Sequence, residues 1–376
     1  MKVKKRVPIY EIFLYLFFII QIVVIYIHKS QNTIGGDLVK QEYYLLMQSL
    51  LLYYALAKVI DKEMIFSLFE ALKYMAIIST VFGILQFFID PWIMKTGPMA
   101  VAFSNYKRMT GIFPTAHDHA LVTLLAILLL VFKHKDTIIR NILIGFLSFG
   151  ILLNFSRGSW LAVISIFFVF MISFKTKLLL KYLKYFIVAT AVFFVLVYAY
   201  LPEDNLETEI KDSNMVKERI ATDTATQRID LYKIASLLIS EHWAIGIGDR
   251  RNNELFYTLM FPVGGKDWAM GKQGGMHNII LKFAVLKGIF VALLFLLFNF
   301  SFFYYCHKKS KKENSYVYLI PYFYSLAFLI YMQTAAGYLN IYGGRLAVYL
   351  MAIVAAIRYN GIDTSTFVLE KKKDDQ

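Results

Sequence analysis

Arg157, Arg228 and His277 are the residues of this 376-residue chain whose types and settings could do chemistry, the arginines by binding an anion and the histidine by taking a proton. Arg157 lies in Asn154-Phe155-Ser156-Arg157-Gly158-Ser159, the polar centre of an otherwise largely apolar run from Ile138 to Phe174. At about 1.5 Å per helical residue that run is far too long for one membrane crossing, so it reads as a tight hairpin. Gly158 is expected to permit the bend and Trp160 to sit at an interface. An arginine held at such a turn presents a planar fork matched to phosphate; the plainer reading is a side chain snorkelling to lipid headgroups. Arg228 follows Thr224-Ala225-Thr226-Gln227, which fits a capping box. The helix expected over 228–240 carries Leu231, Ile234, Ala235 and Leu238 on one face, for a membrane or for other helices. Arg228, Asp230 and Lys233 occupy its first turns, as a binding group near the positive helix end or as a solvated face. Beyond it, Gly246 and Gly248 could form a phosphate-cradling turn, although a lone Gly-x-Gly is a weak signal. His277-Asn278 ends the glycine-rich stretch that begins at Gly271 and opens an apolar segment. Imidazole, with a reference pKa of roughly 6.5, can take a proton at neutral pH; the plainer reading is a capping or interfacial residue. No metal site is read: in His117-Asp118-His119 the i,i+2 side chains diverge, and Cys306 is the only cysteine.

The elements that must position these groups are membrane helices. The chain is 58% hydrophobic and 17% aromatic, with a mean hydropathy of +0.55, which excludes a water-soluble globule. Runs such as Phe290–Phe303 lack the period-2 alternation of an outer-membrane barrel. The expected fold is therefore an all-α polytopic membrane protein of about ten spans, at 8–27, 38–60, 64–89, 116–132, 138–155, 158–174, 179–201, 278–305, 316–336 and 342–358. Met1–Arg6 and the run Pro8–Ile27 read as the first span, since the apolar run is too long for a signal peptide. The implied organisation is spans one to seven over 1–201, a large extracytoplasmic loop with short helices over 202–276, spans eight to ten over 277–358, and a cytoplasmic tail over 359–376.

The formal charge of +14 follows this topology. With both termini cytoplasmic, 22 of the 40 Lys and Arg residues fall in inner segments, as the positive-inside rule requires. The large loop carries 9 basic against 12 acidic residues, which removes nucleic acid as a partner. A second outer loop, about 90–115, is punctuated by Pro91, Gly97, Pro98, Gly111 and Pro114. There is no tandem repeat, and no inverted hydropathy symmetry of the transporter kind.

From about Gly111 to Gly288 the sequence resembles the O-antigen ligase and polymerase superfamily of bacterial envelope polysaccharide enzymes. Four ordered pieces carry the likeness: Arg108-Met109-Thr110-Gly111-Ile112-Phe113; Ser156-Arg157-Gly158-Ser159-Trp160; Arg228 with its amphipathic helix and Gly246/Gly248; and His277-Asn278, nine residues, then Gly288. The resemblance implies glycosyl transfer at the outer face of the bacterial cytoplasmic membrane. The donor would be an oligosaccharide on undecaprenyl diphosphate and the acceptor a glycan hydroxyl, without cofactor, nucleotide sugar or essential metal. It implies His277, Arg157 and Arg228 as catalytic residues and Arg108, Ser156, Asn278 and Asp230 as substrate-binding ones, with a flippase and a chain-length regulator as further partners. Val291 departs from the small or hydroxyl residue of the ligase pattern, which favours a polymerase of repeat units over a ligase of finished glycan. A lipid-linked-oligosaccharide transporter is the third reading.

Overall fold

A computed structural model describes residues 7–89, 93, 109–133, 137–154, 157–173, 223–248, 278–332 and 342–368. Among these residues there are eleven α-helices and no strand: α1 (Ile9–Ser30), α2 (Gly36–Val59), α3 (Lys62–Phe88), α4 (Ala116–Lys133), α5 (Ile138–Leu153), α6 (Arg157–Ser173), α7 (Asp223–His242), α8 (Ile279–Lys287), α9 (Ile289–Glu313), α10 (Tyr316–Tyr331) and α11 (Tyr342–Asn360). A short 3-10 helix, Thr364–Phe367, follows. α1, α3 and α9 are long and apolar enough to cross a membrane, and α4, α5 and α10 are shorter apolar helices. The protein is thus an all-helical polytopic membrane protein. Nine of the ten expected spans coincide with helices, and the segment 179–201 lies outside the described residues.

Several helices start where a short polar side chain can take over a backbone N–H that has no partner in the first turn. Asp61 accepts from Met64 N at 2.8 Å before α3, and Thr137 from Arg140 N at 3.1 Å before α5. Thr115 and Asp118 exchange a reciprocal pair before α4, at 3.1 Å from the Asp118 amide and 2.8 Å between side chains. Three expectations need correction. The eighth span is two helices, α8 and α9, broken at Gly288, whose φ of +86° no continuing helix allows. Gly158 lies inside α6, so the hairpin bends before it. And α7 begins at Asp223, which places Thr224 within the helix instead of at its cap.

The chain forms two compact units. The first, Met1–Val59, Ala221–Lys308 and Met332–Tyr359, is built around Phe17, which meets Phe283, Phe295 and Phe298 at ring distances of 5.5–5.7 Å. At the start of α1 the fully buried Glu11 accepts from Arg358 at 2.6 and 2.7 Å, Tyr359 at 2.9 Å and Tyr53 at 3.2 Å. A carboxylate can be held in an apolar interior only with its lone pairs satisfied in this way. The second unit, Ile60–Ile220, Lys309–Tyr331 and Asn360–Gln376, packs α3 on α4 and α5, and α10 on α4 and α6. Its C-terminal 3-10 helix is anchored by Phe367, stacked on Phe66 at 4.6 Å and edge-on to Tyr316 at 5.7 Å.

Candidate active site

In the second unit the expected hairpin is present. α5 ends at Leu153 and α6 starts at Arg157, and across the turn the Trp160 indole donates to the Ile151 carbonyl at 3.2 Å. Arg157 is the first residue of α6; its side chain, and the whole of Ser156, lie outside the described residues. Arg108 also lies outside them, but the chain entering from it is fixed at once. Met109 is fully buried, its amide reaches the Leu153 carbonyl at 3.4 Å, and its side chain fills the space beside Gly83 and Gly150. The motif carrying Arg108 is therefore tied to the foot of the hairpin carrying Arg157.

Gln86 of α3 is the fixing group. Its amide donates to the Gly111 carbonyl at 2.8 Å while its oxygen accepts from the Gly111 amide at 2.9 Å, the pairing a neighbouring strand would supply. Gly111, at φ +58°, presses so close to α3 that a Cβ would lie 2.1 Å from the Ser79 hydroxyl. His119 is buried behind this loop, with Thr80 at 3.4 Å, Thr123 at 3.5 Å and Asn154 at 3.3 Å. His117 turns instead to the Tyr331 ring at 5.2 Å, so the two imidazoles diverge as their spacing requires. Gln86→Leu strands the buried Gly111 N–H and C=O, at about 1–3 kcal/mol for each unsatisfied group. The expected result is a markedly lower Tm in detergent, checked by scanning calorimetry.

In the first unit Arg228 and Asp230 lie in the first half of α7, with side chains outside the described residues, and His277 lies just outside them. Asn278 is the N-cap of α8, accepting from Ile280 N at 2.9 Å and Leu281 N at 3.1 Å. The Ile279 amide is taken by the Met332 carbonyl at 3.0 Å. The start of α8, two residues after His277, is thus set by two separate anchors. α7 packs on α8: Ala235 and Leu238 share a core with Ile247, Val285 and Leu286, against which Ile234, Ile239 and Leu281 also pack. The apolar stripe expected on this helix therefore faces other helices. Gly246 and Gly248 have the positive φ of a tight turn, but the space before them is filled. A Cβ on Gly246 would lie 2.4 Å from the Leu286 carbonyl carbon, and one on Gly248 2.7 Å from the Thr33 oxygen. This turn is a packing device, not a phosphate cradle.

Sequence reasoning missed Gln86, His28 and Lys287. Lys287, the last residue of α8, pairs with Glu42 at 2.6 Å and donates to Gln21 at 2.9 Å, tying the helix to α2 and α1. A lysine before a glycine inside an apolar run was the available signal. Residues 142–296 match the family described as O-antigen ligase. The matched span contains Arg157, Arg228, His277, Asn278 and Gly288, so the likeness read from the motifs holds over this part of the chain. A comparison with curated proteins gave no match.

Proposed function

We propose, on the premise that residues 142–296 are an O-antigen-ligase-like catalytic region, that this membrane enzyme of polysaccharide assembly is a polymerase of lipid-linked repeat units. Its donor is an oligosaccharide carried on undecaprenyl diphosphate at the outer face of the cytoplasmic membrane. The family match supports the coarser part of the reading, a membrane enzyme of polysaccharide assembly, because it spans all three residues chosen for their chemistry. An acceptor hydroxyl oxygen attacks the anomeric carbon of the donor and His277 takes the hydroxyl proton. The bond between the anomeric carbon and the phosphate oxygen breaks, and the lipid diphosphate leaves with the electron pair. Arg157 and Arg228 stabilise the charge that develops there, where a soluble transferase might use Mg²⁺. Arg108, Ser156, Asp230 and Asn278 contact donor or acceptor, and no metal or cofactor takes part.

The description of the matched family favours a second reading, a ligase that passes finished glycan to a lipid or wall acceptor by the same chemistry. The polymerase is preferred because Val291, fully buried in α9, stands where the ligase pattern has a small or hydroxyl residue. Purified protein in liposomes, given repeat units on undecaprenyl diphosphate and EDTA, should yield a ladder of lengthening lipid-linked chains. Transport of the substrate without bond formation, or dependence on Mg²⁺ or Mn²⁺, would overturn the proposal.

The proposed orientation has both termini in the cytoplasm. In a Cys306→Ser background, single cysteines at Asn105, Met215 and Met270 should react with an impermeant thiol reagent in intact cells, and one at Lys311 should not. Labelling at 311 with silence at 215 would invert the topology.

A further inference from the structure

The break between α8 and α9 is filled by the turn that follows α7. In an unbroken helix the Ile289 amide would bond to the Val285 carbonyl, four residues back. Here Ile289 N donates to the Trp243 carbonyl at 2.8 Å, and the Val285 carbonyl accepts instead from Ile247 N at 2.8 Å. One helical hydrogen bond has been exchanged for two across the junction, so the break leaves neither group unsatisfied. The fit has no slack on either side. A Cβ on Gly288 would lie 2.1 Å from the Ala244 carbonyl oxygen, and one on Gly246 within 2.5 Å of the Val285 oxygen and the Lys287 nitrogen. From the other side the turn is held by His28 in the last turn of α1, which is 3% exposed. Its Nε2 lies 2.8 Å from the Ile245 carbonyl and its Nδ1 2.7 Å from the Thr33 hydroxyl. A carbonyl cannot donate, so Nε2 carries the proton, and the Thr33 hydroxyl, which lies 3.2 Å from the His28 carbonyl as well, is shared between that carbonyl and Nδ1.

We infer that the Trp243–Gly248 turn is a register pin between α7 and α8, and that His28 is a positioning residue for the transfer reaction. The inference rests on the reading proposed above and adds a residue to it. The C-terminal ends of α7 and α8 meet at the pin, and their shared apolar seam carries its register along both helices. α7 bears Arg228 in its first half, and α8 begins two residues after His277. A slip at the pin is therefore a slip of the leaving-group arginine against the base, and a displacement of about 1 Å at a reacting centre can cost roughly 10²-fold in rate.

The test uses the full chain in nanodiscs with Cys306 replaced by serine and spin labels at Ser236→Cys on α7 and Lys282→Cys on α8. Donor turnover is measured on the same variants without labels. His28→Leu should shift or broaden the α7–α8 distance distribution and lower kcat at least about tenfold, with the donor KM little changed. His28→Gln, whose amide can still donate to the Ile245 carbonyl, should restore both. Thr33→Val, which keeps the ring and removes the hydroxyl that meets both its Nδ1 and the His28 carbonyl, should move both readouts in the same direction by less, and it serves if His28→Leu does not fold. An unchanged distance distribution in both His28→Leu and Thr33→Val, or a changed one with wild-type kcat, would overturn the inference. Absence of transfer by the wild type strikes the functional reading alone, and the distance measurement still decides the pin.

Discussion

His277→Ala leaves a folded, donor-binding protein whose turnover falls by about two to four orders of magnitude, the usual contribution of a general base. The expectation follows from where the chain puts this residue. Asn278 caps α8 through the Ile280 and Leu281 amides and Met332 holds that of Ile279, so the proposed base directly precedes a fixed helix end. In the proposed mechanism its task is to take the acceptor proton. The wild-type rate should accordingly fall on the acid side as imidazole protonates, and that limb should vanish from the residual activity of the alanine variant. Both are read from initial rates of chain extension across pH. Substantial turnover by His277→Ala would move the search for a base to the carboxylates of the large loop, Asp230 first.

Arg157→Lys is the second large effect: most activity is lost although the charge is kept. A diphosphate leaving group rewards two parallel N–H donors in one plane, and an ammonium cannot present them. Removal of one fixed donor at a developing anion commonly costs about 10²–10³ in kcat, and that is the size expected here. Arg157 is suited to the task because its backbone begins α6 immediately after the turn that Trp160 and Met109 tie to α5. If the side chain merely snorkelled to headgroups, lysine would serve as well, and near-normal polymer at equal expression would return it to that role.

How much of this was legible in the sequence depends on the distance over which the responsible interaction acts. The hairpin at Arg157 was legible because it follows from length and polarity alone, and the starts of α3, α4, α5 and α8 because apolar runs open there; the one cap read from the sequence, at Thr224, falls inside α7. The break at Gly288 was not, since the apolar run continues through it and one glycine is weak punctuation. What makes the break stable is the exchange of backbone bonds with Trp243 and Ile247, some forty residues earlier in the chain, and backbone bonds leave no mark on residue type. Gly246 and Gly248 were visible but misread: a positive φ and a close approach look alike whether the neighbour is a phosphate or a helix. Gln86 read as one polar residue in a span, and only the fold shows that its amide substitutes for a strand against Gly111. Glu11 and Arg358 illustrate the same limit at its widest, meeting at 2.6 Å from opposite ends of the chain.

The central claim is that this chain joins repeat units while they are still on their lipid carrier, and the glycan profile of a strain lacking it tests that most directly. Loss of the polymerase should leave single repeat units, with the longer chains of the parent strain absent and restored by the wild-type chain but not by the His277→Ala variant. Full-length chains stranded on undecaprenyl diphosphate in the deletion strain would contradict the claim and identify the ligase instead.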